Sequence, residues 1–438
     1  MVYNRFRLST RITKNEFKGM ENLFHLLFFF NTYISQPTKM LKLILQMKSI
    51  YLTLLMLSLL AASCDKTLNK AEVKKEIEFN IGFNYSTHGV FYNKSNATEY
   101  IYFADYTSKK CLKIFSLDGE LVDSISLKSA VEELDEINRI SIISPDTIVI
   151  NSRYSNKIAI LNKKGICWKR LDLDTLLNDK NGNHYEIGCS IPNILKDGSL
   201  LFRSYFKYNT HDLLNKTEPE DQLGYMKYFY KNCYTSPRLI KVTNIYSERP
   251  TVTFALHNFY KNISPSPDII TESPNYSVLN NFVFDFSVFS DQLFQINSKT
   301  LTIEKKIQIK SKYSPIGFKP IPINEQTILT VQDVINQNYR TKGFLSNIFY
   351  NSTKNEYYVL VFHEIKKENV NKQDYYKAFS VIIYDSTFTN SREYQFAATE
   401  YQSGFAIMTE EGLMIPKKEN TSDKIKNGKT VFVLFSFD

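Results

Sequence analysis

Histidines and carboxylates are the side chains of this sequence best suited to acid–base or metal chemistry. After residue 64 there are five histidines, and none of them forms an HxxxH or HExxH pair: His88, His184, His211, His257 and His363. Asp179–Asn183 has the composition of a calcium loop, but its glycine is at the fourth place instead of the sixth, which favours a surface turn. Nucleophile-elbow, P-loop and GxGxxG motifs are absent. We therefore predict no metal, no cofactor and no catalytic residue.

Three aspartates end or follow strand-like runs, at places that the sequence pattern makes equivalent: Asp105, Asp285 and Asp385. Such carboxylates could point into a central channel. Aspartate also forms turns by accepting hydrogen bonds from the backbone that follows it. We favour the turn interpretation for all three.

The aromatic residues of segment 205–275 are the best candidates for binding. Thr217-Glu218-Pro219-Glu220 fits a capping box with proline in the first helical turn, so a helix is predicted there. Aromatic side chains on loops can stack on sugars or anchor a protein partner. The alternative is a small satellite core beneath the insertion. The candidate residues are Tyr205, Tyr208, Tyr225, Tyr228 and Tyr234.

Cys64 follows a leader of secretory type. Lys48 supplies a positive charge, and 50–62 is an apolar run too short to span a bilayer. The end of the leader, Leu60-Ala61-Ala62-Ser63-Cys64, resembles the lipobox of bacterial lipoproteins, although leucine is commoner at the position of Ala61. The resemblance implies cleavage before Cys64 and lipid attachment to its sulfur, which would anchor the protein to a membrane. The alternative is an ordinary signal peptide followed by an incidental cysteine.

Four segments follow from this interpretation. Residues 1–46 lie upstream of the true start or extend the leader, because Met40 and Met47 are both plausible starts. Residues 47–63 are the signal peptide, 64–75 a polar tether and 76–438 the folded domain. Four cysteines follow Cys64, either as buried free thiols or with one long-range disulfide: Cys111, Cys167, Cys189 and Cys233.

The surface charge of residues 64–438 is nearly balanced. They contain 46 Lys and Arg and 43 Asp and Glu, a net charge of +3. No broad positive field is therefore expected, and we predict no nucleic-acid partner.

A loose repeat of short strands and polar turns dominates the folded domain. One unit, 99–127, has a hairpin at Asp118-Gly119, and the next, 147–173, has one at Lys164-Gly165. Further units are 278–309 and 357–396. Repeated three- or four-stranded sheets predict an all-β fold, a β-propeller of about six blades, with seven also compatible and a helical or loop insertion near 205–275. The alternative is a pair of β-sandwiches or another large β fold.

Closure of the ring is predicted from the two ends of the domain. Thr430–Phe437 could pair with Glu76–Ile81 inside one shared blade. The unit IFSLDGELVDSISL resembles the six-bladed NHL and TolB-like propellers, and with the lipobox the chain resembles propeller lipoproteins of Bacteroidota. It departs from glycine-rich blade signatures, because it has only 14 glycines and one tryptophan.

These observations predict a membrane-anchored binding or scaffolding lipoprotein of the cell envelope, on the periplasmic face or at the outer membrane and cell surface. Its partner would be a glycan or an envelope protein. One alternative is a propeller hydrolase or lyase acting on glycans or peptides, which predicts carboxylates and a histidine together at the channel mouth. The other is a sensory or envelope-assembly component, which predicts an apolar patch on the insertion.

Overall fold

The fold is that of a computed structural model, which describes most of residues 71–437. Outside the described residues lie 1–70, 83–84, 135, 178–183, 188–191, 207–222, 225–226, 229–230, 233–235, 238, 248, 256–268, 271–274, 289, 318, 320, 366–376, 419–427 and 438.

The described residues form six four-stranded antiparallel sheets, the blades of a β-propeller. Blade 1 contains β2 (Thr87–Asn93), β3 (Thr98–Asp105), β4 (Cys111–Phe115) and β5 (Leu121–Ser126). Blade 2 contains β6 (Ile137–Ser144), β7 (Thr147–Ser152), β8 (Lys157–Leu161) and β9 (Cys167–Asp172). Blade 3 contains β11 (Asn193–Ile194), β12 (Leu200–Arg203), β14 (Leu239–Thr243) and β15 (Thr251–Ala255).

The other three blades have the same order of strands from the axis outward. Blade 4 contains β17 (Asn275–Leu279), β18 (Phe282–Phe286), β19 (Gln292–Asn297) and β20 (Ile303–Gln308). Blade 5 contains β22 (Phe344–Asn351), β23 (Glu356–Phe362), β24 (Phe379–Asp385) and β25 (Ser391–Phe396). Blade 6 contains β26 (Ile407–Thr409), β27 (Gly412–Pro416), β28 (Lys429–Ser436) and, from the start of the domain, β1 (Glu72–Asn80).

Smaller elements connect the blades. Two short ladders pair β10 (Tyr185–Glu186) with β13 (Tyr205–Phe206), and β16 (Ile269–Ile270) with β21 (Ile321–Pro322). Helix α1 (Lys128–Glu133) precedes blade 2, helix α2 (Glu325–Thr341) precedes blade 5, and a 3₁₀ turn (Ser403–Phe405) precedes blade 6.

The innermost strands form a closed ring. Contacts between successive inner strands run from β2 through β6, β11, β17, β22 and β26 back to β2. The ring closes as predicted, because β1 pairs with β28 over the registers Glu72↔Ser436 to Asn80↔Lys429. This shared blade removes the open sheet edge that a linear stack of blades would leave.

The hydrophobic core lies between blades. Six clusters of buried residues occupy the six interfaces, one between each pair of neighbouring blades. At the interface of blades 6 and 1, for example, Phe79 and Phe432 pack against Phe103 and Phe115. A small sheet cannot bury both of its faces by itself, so radial stacking supplies the second face.

Hairpin chemistry agrees with the predicted repeat. The Asp118-Gly119 turn joins β4 to β5, and the amide of Gly119 donates to the carbonyl of Ser116 at 3.1 Å. Gly119 has a φ of +88°, and a Cβ there would lie 2.5 Å from the carbonyl oxygen of Glu78. Glycine is therefore required both by backbone conformation and by close approach.

Three features differ from the sequence expectations. Strand β1 begins at Glu72, before the domain start expected at 76, because its pairing with β28 continues to Ser436. The expected insertion at 205–275 is narrower, since β14 and β15 lie within it and complete blade 3. Helix α2 was not predicted.

Candidate functional site

The two ends of the propeller differ in the length of their connections. At one end, 11 turns within blades have only two to seven residues, and we call this the short-loop end: 94–97, 116–120, 145–146, 162–166, 195–199, 244–250, 280–281, 298–302, 352–355, 386–390 and 410–411. The opposite, long-loop end carries α1, α2 and connections of up to 35 residues, at 204–238 and 309–343. Long loops on a rigid scaffold are the usual place for binding residues.

A cavity of about 530 Å³ occupies the central channel between the inner strands. Arg139, His88 and Phe405 line it at the long-loop end, whereas Glu99 and Glu410 line it near the short-loop end. Small-molecule sites in proteins span roughly 300–1,000 Å³, so the channel is large enough for a ligand.

Arg139 is the central cation of this site. It is the third residue of β6, its side chain is half-buried, and its Nη1 donates to the carbonyl oxygen of Ser86 at 3.1 Å. Among the described residues, no carboxylate lies within ion-pair distance of the Arg139 guanidinium. A half-buried guanidinium keeps its charge and has several donors, so a neutral carbonyl leaves much of its binding capacity unused.

His88 contributes no competing charge at neutral pH. Burial in the channel wall and, to a lesser degree, the nearby positive charge of Arg139 lower the pKa of His88 to about 4, against the opposing effect of a hydrogen bond with the Ala406 backbone. Its ring lies 5.7 Å from that of Tyr85 and 5.5 Å from that of Phe405. His88 and Phe405 therefore line the long-loop end of the channel with Arg139 and add no second positive charge.

Tyr102 completes this wall because Gly89 makes room for it. The two residues are paired across β2 and β3, and a Cβ on Gly89 would lie 2.7 Å from the Tyr102 hydroxyl oxygen. That hydroxyl donates to the carbonyl of Ile140 in blade 2 at 3.2 Å, which ties two blades together. Burial raises the pKa of Tyr102, so the hydroxyl stays protonated.

Glu99 lies near the other end of the channel. Burial raises the pKa of Glu99 to about 7, and the negative charges of Glu410 and Glu411 act in the same direction. The Glu410 amide donates to Glu99 Oε2 at 2.8 Å and opposes this shift. The channel is thus cationic at the long-loop end and carries a titratable carboxyl at the short-loop end.

A second cavity of about 370 Å³ adjoins the channel mouth at the long-loop end. Gly404 and Phe405 line both cavities, so the 3₁₀ turn separates them. Lys377 lies in the second cavity with its Nζ 4.9 Å from the centre of the Phe344 ring, and it donates to the carbonyl of Lys342. Burial lowers the pKa of Lys377 to about 7.

The three aspartates are not equivalent. Asp105 ends β3 and accepts hydrogen bonds from Thr107 and Ser108; burial raises its pKa, but those bonds outweigh burial and hold the pKa below its usual value. Asp385 ends β24, at the short-loop end, and hydrogen bonds led by that of Thr387 lower its pKa. Both form turns, as favoured from the sequence. Asp285 is instead fully buried within β18.

The three histidines that the structure describes, His88, His184 and His363, do not form a metal-binding group. His363 is buried and lies 2.6 Å (Nε2) from Ser380 Oγ, His184 is exposed, and the remaining two, His211 and His257, lie outside the described residues along with Asp179–Asn183. Within the described residues, no group of three or more His, Cys, Asp or Glu side chains is arranged to hold a metal ion.

The predicted aromatic candidates lie at the long-loop end or outside the described residues. Tyr205 pairs with Glu186 in the β10–β13 ladder, and Tyr228 is 52% exposed on helical residues of the insertion. On the same insertion, Leu223 packs against a small cluster formed by Ile321, Ile323 and Ile335. Tyr208, Tyr225, Tyr234 and Cys64 lie outside the described residues. The binding role of these tyrosines stays a prediction.

Cys111 and Cys167 are free thiols, and Cys189 and Cys233 lie outside the described residues. No helix among the described residues has the length and apolar character needed to cross a bilayer.

Arg139, Glu99 and Tyr102 were not among the candidate residues predicted from the sequence. His88 and Arg139 are 51 positions apart and on neighbouring blades, so only the packing of blade 1 against blade 2 brings them together. One signal was available. Gly89 interrupts a strand-like run, and such a glycine often marks the close approach of another group.

Comparison with known proteins shows the fold. No family model and no curated protein matches the chain. Among solved structures, a member of the DUF4221 family from Bacteroides vulgatus is similar at a TM-score of 0.62 and 16% identity, covering 84% of this chain and 99% of that one. A Bacteroides fragilis protein, described as a putative exported protein, is similar at a TM-score of 0.44 and 9% identity, covering 84% of this chain and 96% of that one. Virginiamycin B lyase from Staphylococcus aureus has a TM-score of 0.38 and 10% identity, covering 82% of this chain and 99% of that one. The first of these shares the propeller fold of this chain.

Proposed function

We propose that this protein is an exported binding module, held at the cell envelope by lipid on Cys64, that receives an acidic sugar at the long-loop mouth of its central channel. The observation that carries the proposal is Arg139, a half-buried guanidinium that has no carboxylate partner among the described residues. A cation in a ligand-sized cavity favours a ligand that brings the missing negative charge.

A carboxylate suits this guanidinium well. Arginine binds carboxylates through two parallel charge-assisted hydrogen bonds, which are about twice as strong as neutral ones. The neutral ring of His88 adds polar surface without a second charge, and the Tyr102 hydroxyl, whose proton is donated to Ile140, can accept a hydrogen bond from a ligand hydroxyl. One carboxylate per ligand is therefore the expected stoichiometry.

A sugar ring suits the aromatic rim of the mouth. Phe405 is 37% exposed and lines the channel beside His88. An exposed aromatic face can stack on the apolar face of a sugar. A hexuronate combines that face with a carboxylate, and it also agrees with the glycan partner predicted from the sequence.

Export and anchoring are supported by the leader and by the resemblance of Leu60–Cys64 to a lipobox. Strand β1 begins at Glu72 at the short-loop end, eight residues after Cys64. The tether would therefore leave the channel mouth on the side of the domain remote from the anchor, where a ligand could enter.

Calorimetric titration with a galacturonate disaccharide and with the neutral galactose disaccharide tests the proposal. We expect only the acidic sugar to bind, and Arg139→Gln to weaken it at least tenfold, which corresponds to about 1.4 kcal/mol. Arg139→Lys should restore only part of the affinity, because lysine lacks the planar fork. The matched control is Arg153→Gln, since Arg153 is also at the long-loop end but pairs with Glu136 outside the channel.

Equal binding of both sugars, or full affinity in Arg139→Gln, would refute the site. Cleavage of the disaccharide during the titration would favour the hydrolase or lyase alternative over a binding module.

A further inference from the structure

We infer that the short-loop end of the propeller lies against the lipid surface and contacts it through a patch of exposed apolar side chains centred on Trp168 and Tyr246. The inference rests on the proposed lipid attachment at Cys64 and adds to it an oriented contact between the folded domain and the bilayer.

The first observation is where the chain enters the domain. In the β1–β28 pairing, Glu72 lies opposite Ser436, at the short-loop end, and Asn80 lies opposite Lys429, at the long-loop end. The eight peptide units from Cys64 to Glu72 span at most about 28 Å when fully extended. That is about the height of one eight-residue strand. A lipid on Cys64 would therefore keep the short-loop end within about 28 Å of the membrane, and the opposite orientation of the domain would need a fully extended tether.

The second observation is independent of the anchor and concerns exposed apolar side chains. Ten large hydrophobic residues among the described residues are exposed, and seven of them lie at the short-loop end: Val73, Tyr92, Leu121, Val122, Ile166, Trp168 and Tyr246. Single exposed apolar residues need no explanation, but seven of the ten lie at the short-loop end, which makes it the more apolar end among the described residues.

The centre of this patch has the chemistry of a membrane interface. Trp168 on β9 and Tyr246 in the β14–β15 turn stack with ring centres 6.1 Å apart and planes 5° from parallel. They are 46% and 54% exposed. Tryptophan and tyrosine are enriched where protein meets lipid headgroups, because their rings are apolar and their polar groups still reach water.

Lysines border the aromatic pair. Lys169 Nζ donates to the Tyr246 carbonyl at 3.0 Å and so joins the two blades beneath the stack. Lys163 pairs with Asp146 at 3.5 Å, and Lys164 occupies the same hairpin beside Ile166. Lysines next to apolar side chains favour the anionic headgroups of a bilayer.

Trp168 is the sole tryptophan of the chain and reports directly on this contact. We would reconstitute the protein, with its acylation at Cys64 verified by mass spectrometry, into vesicles of phosphatidylethanolamine and phosphatidylglycerol whose acyl chains carry bromine. Bromine quenches a nearby indole. We expect Trp168 emission to shift to shorter wavelength and to lose most of its intensity relative to vesicles without bromine.

The matched control moves the reporter to the other end of the same blade. Tyr154 is 65% exposed in the connection between β7 and β8, at the long-loop end. In the double variant Trp168→Phe, Tyr154→Trp, the emission should be unaffected by bromine. Equal quenching of both reporters, or quenching of the Tyr154→Trp reporter alone, would overturn the orientation.

Flotation of the same vesicles separates the two claims. If the protein floats with the vesicles while Trp168 stays unquenched, the lipid attachment is retained and the inferred contact of the short-loop end with the bilayer is refuted. If the protein is not acylated, or does not float, both the lipid attachment and the bilayer contact that rests on it are contradicted.

Discussion

Phe79 lies at the seam where the first and last strands of the domain close the ring. It is fully buried on β1, and its ring is 5.3 Å from Phe103, 5.4 Å from Phe115 and 5.5 Å from Phe432. Two of these rings belong to blade 1 and one to blade 6. Replacing Phe79 with alanine therefore removes the side chain that all three contact.

The size of the effect follows from this packing. Truncating a buried phenylalanine to alanine costs about 3–5 kcal/mol. Edge-to-face pairs add about 0.5–1.5 kcal/mol beyond burial, and two of the three pairs are near-perpendicular, at 85° and 89°. We expect Phe79→Ala to reduce the free energy of unfolding by about 4–5 kcal/mol. Phe79→Leu, which keeps most of the volume, should cost about 1–1.5 kcal/mol.

Urea unfolding measured in parallel by Trp168 fluorescence and by circular dichroism provides the assay. Trp168 is on blade 2, away from the seam, so it detects Phe79→Ala only if the ring unfolds as one cooperative unit. Val73→Ala is the control on the same strand; Val73 is 48% exposed and should cost less than about 0.5 kcal/mol. If the urea midpoint of the Trp168 transition is unchanged while the circular dichroism transition splits into two, the seam opens independently of the rest of the ring. A loss below about 1 kcal/mol would refute the packing argument.

Three further predictions concern the anchor, the insertion and a buried amine. Cys64→Ala should move the protein out of the membrane fraction and abolish labelling by radioactive fatty acid, and unchanged labelling would contradict lipid attachment. Replacing Tyr225 and Tyr228 with serine should change stability by only about a few tenths of a kcal/mol while weakening partner capture much more, because Tyr228 is exposed; a loss of several kcal/mol would place them in a core. Burial lowers the pKa of Lys377 from 10.5 to about 7, so between these values the unfolded chain binds a proton that the folded chain lacks. Stability should thus rise with pH from about 7 to 10.5 more steeply in the wild type than in Lys377→Met, and parallel curves in urea titrations would refute this.

The architecture could be predicted because each blade repeats one local rule. Short apolar strands separated by polar turns recur along the chain, and Asp118-Gly119 marks one of the turns that join them. The ring closure followed from apolar strands at both ends of the domain, and β1 and β28 do pair. A local pattern repeated six times survives the failure of one unit, such as blade 3, whose inner strand β11 has only two residues.

Helix α2 and the residues of the central channel could not be predicted from the sequence in the same way. Helix α2 has the sequence EQTILTVQDVINQNYRT, whose β-branched Thr, Ile and Val residues favour strands in isolation. Tertiary context decides such a segment, and its Ile335 is buried beside Ile321 and Ile323. His88 and Arg139 likewise become neighbours only when blade 1 packs against blade 2. Apart from Gly89, composition and spacing do not indicate which residues of neighbouring blades meet in the channel.

The position of β1 links anchoring to folding. It is the outer strand of the closing blade, and the tether joins it at Glu72, at the short-loop end. A pull on a lipid at Cys64 would reach the domain at the Glu72 end of β1, whose pairs with β28 run from Glu72↔Ser436 to Asn80↔Lys429. Phe79 is on the same strand, and its packing against Phe103, Phe115 and Phe432 opposes the detachment of β1 from the domain. Arg139 and the channel mouth lie at the other end, so the proposed lipid attachment and the proposed ligand site would not compete for the same surface.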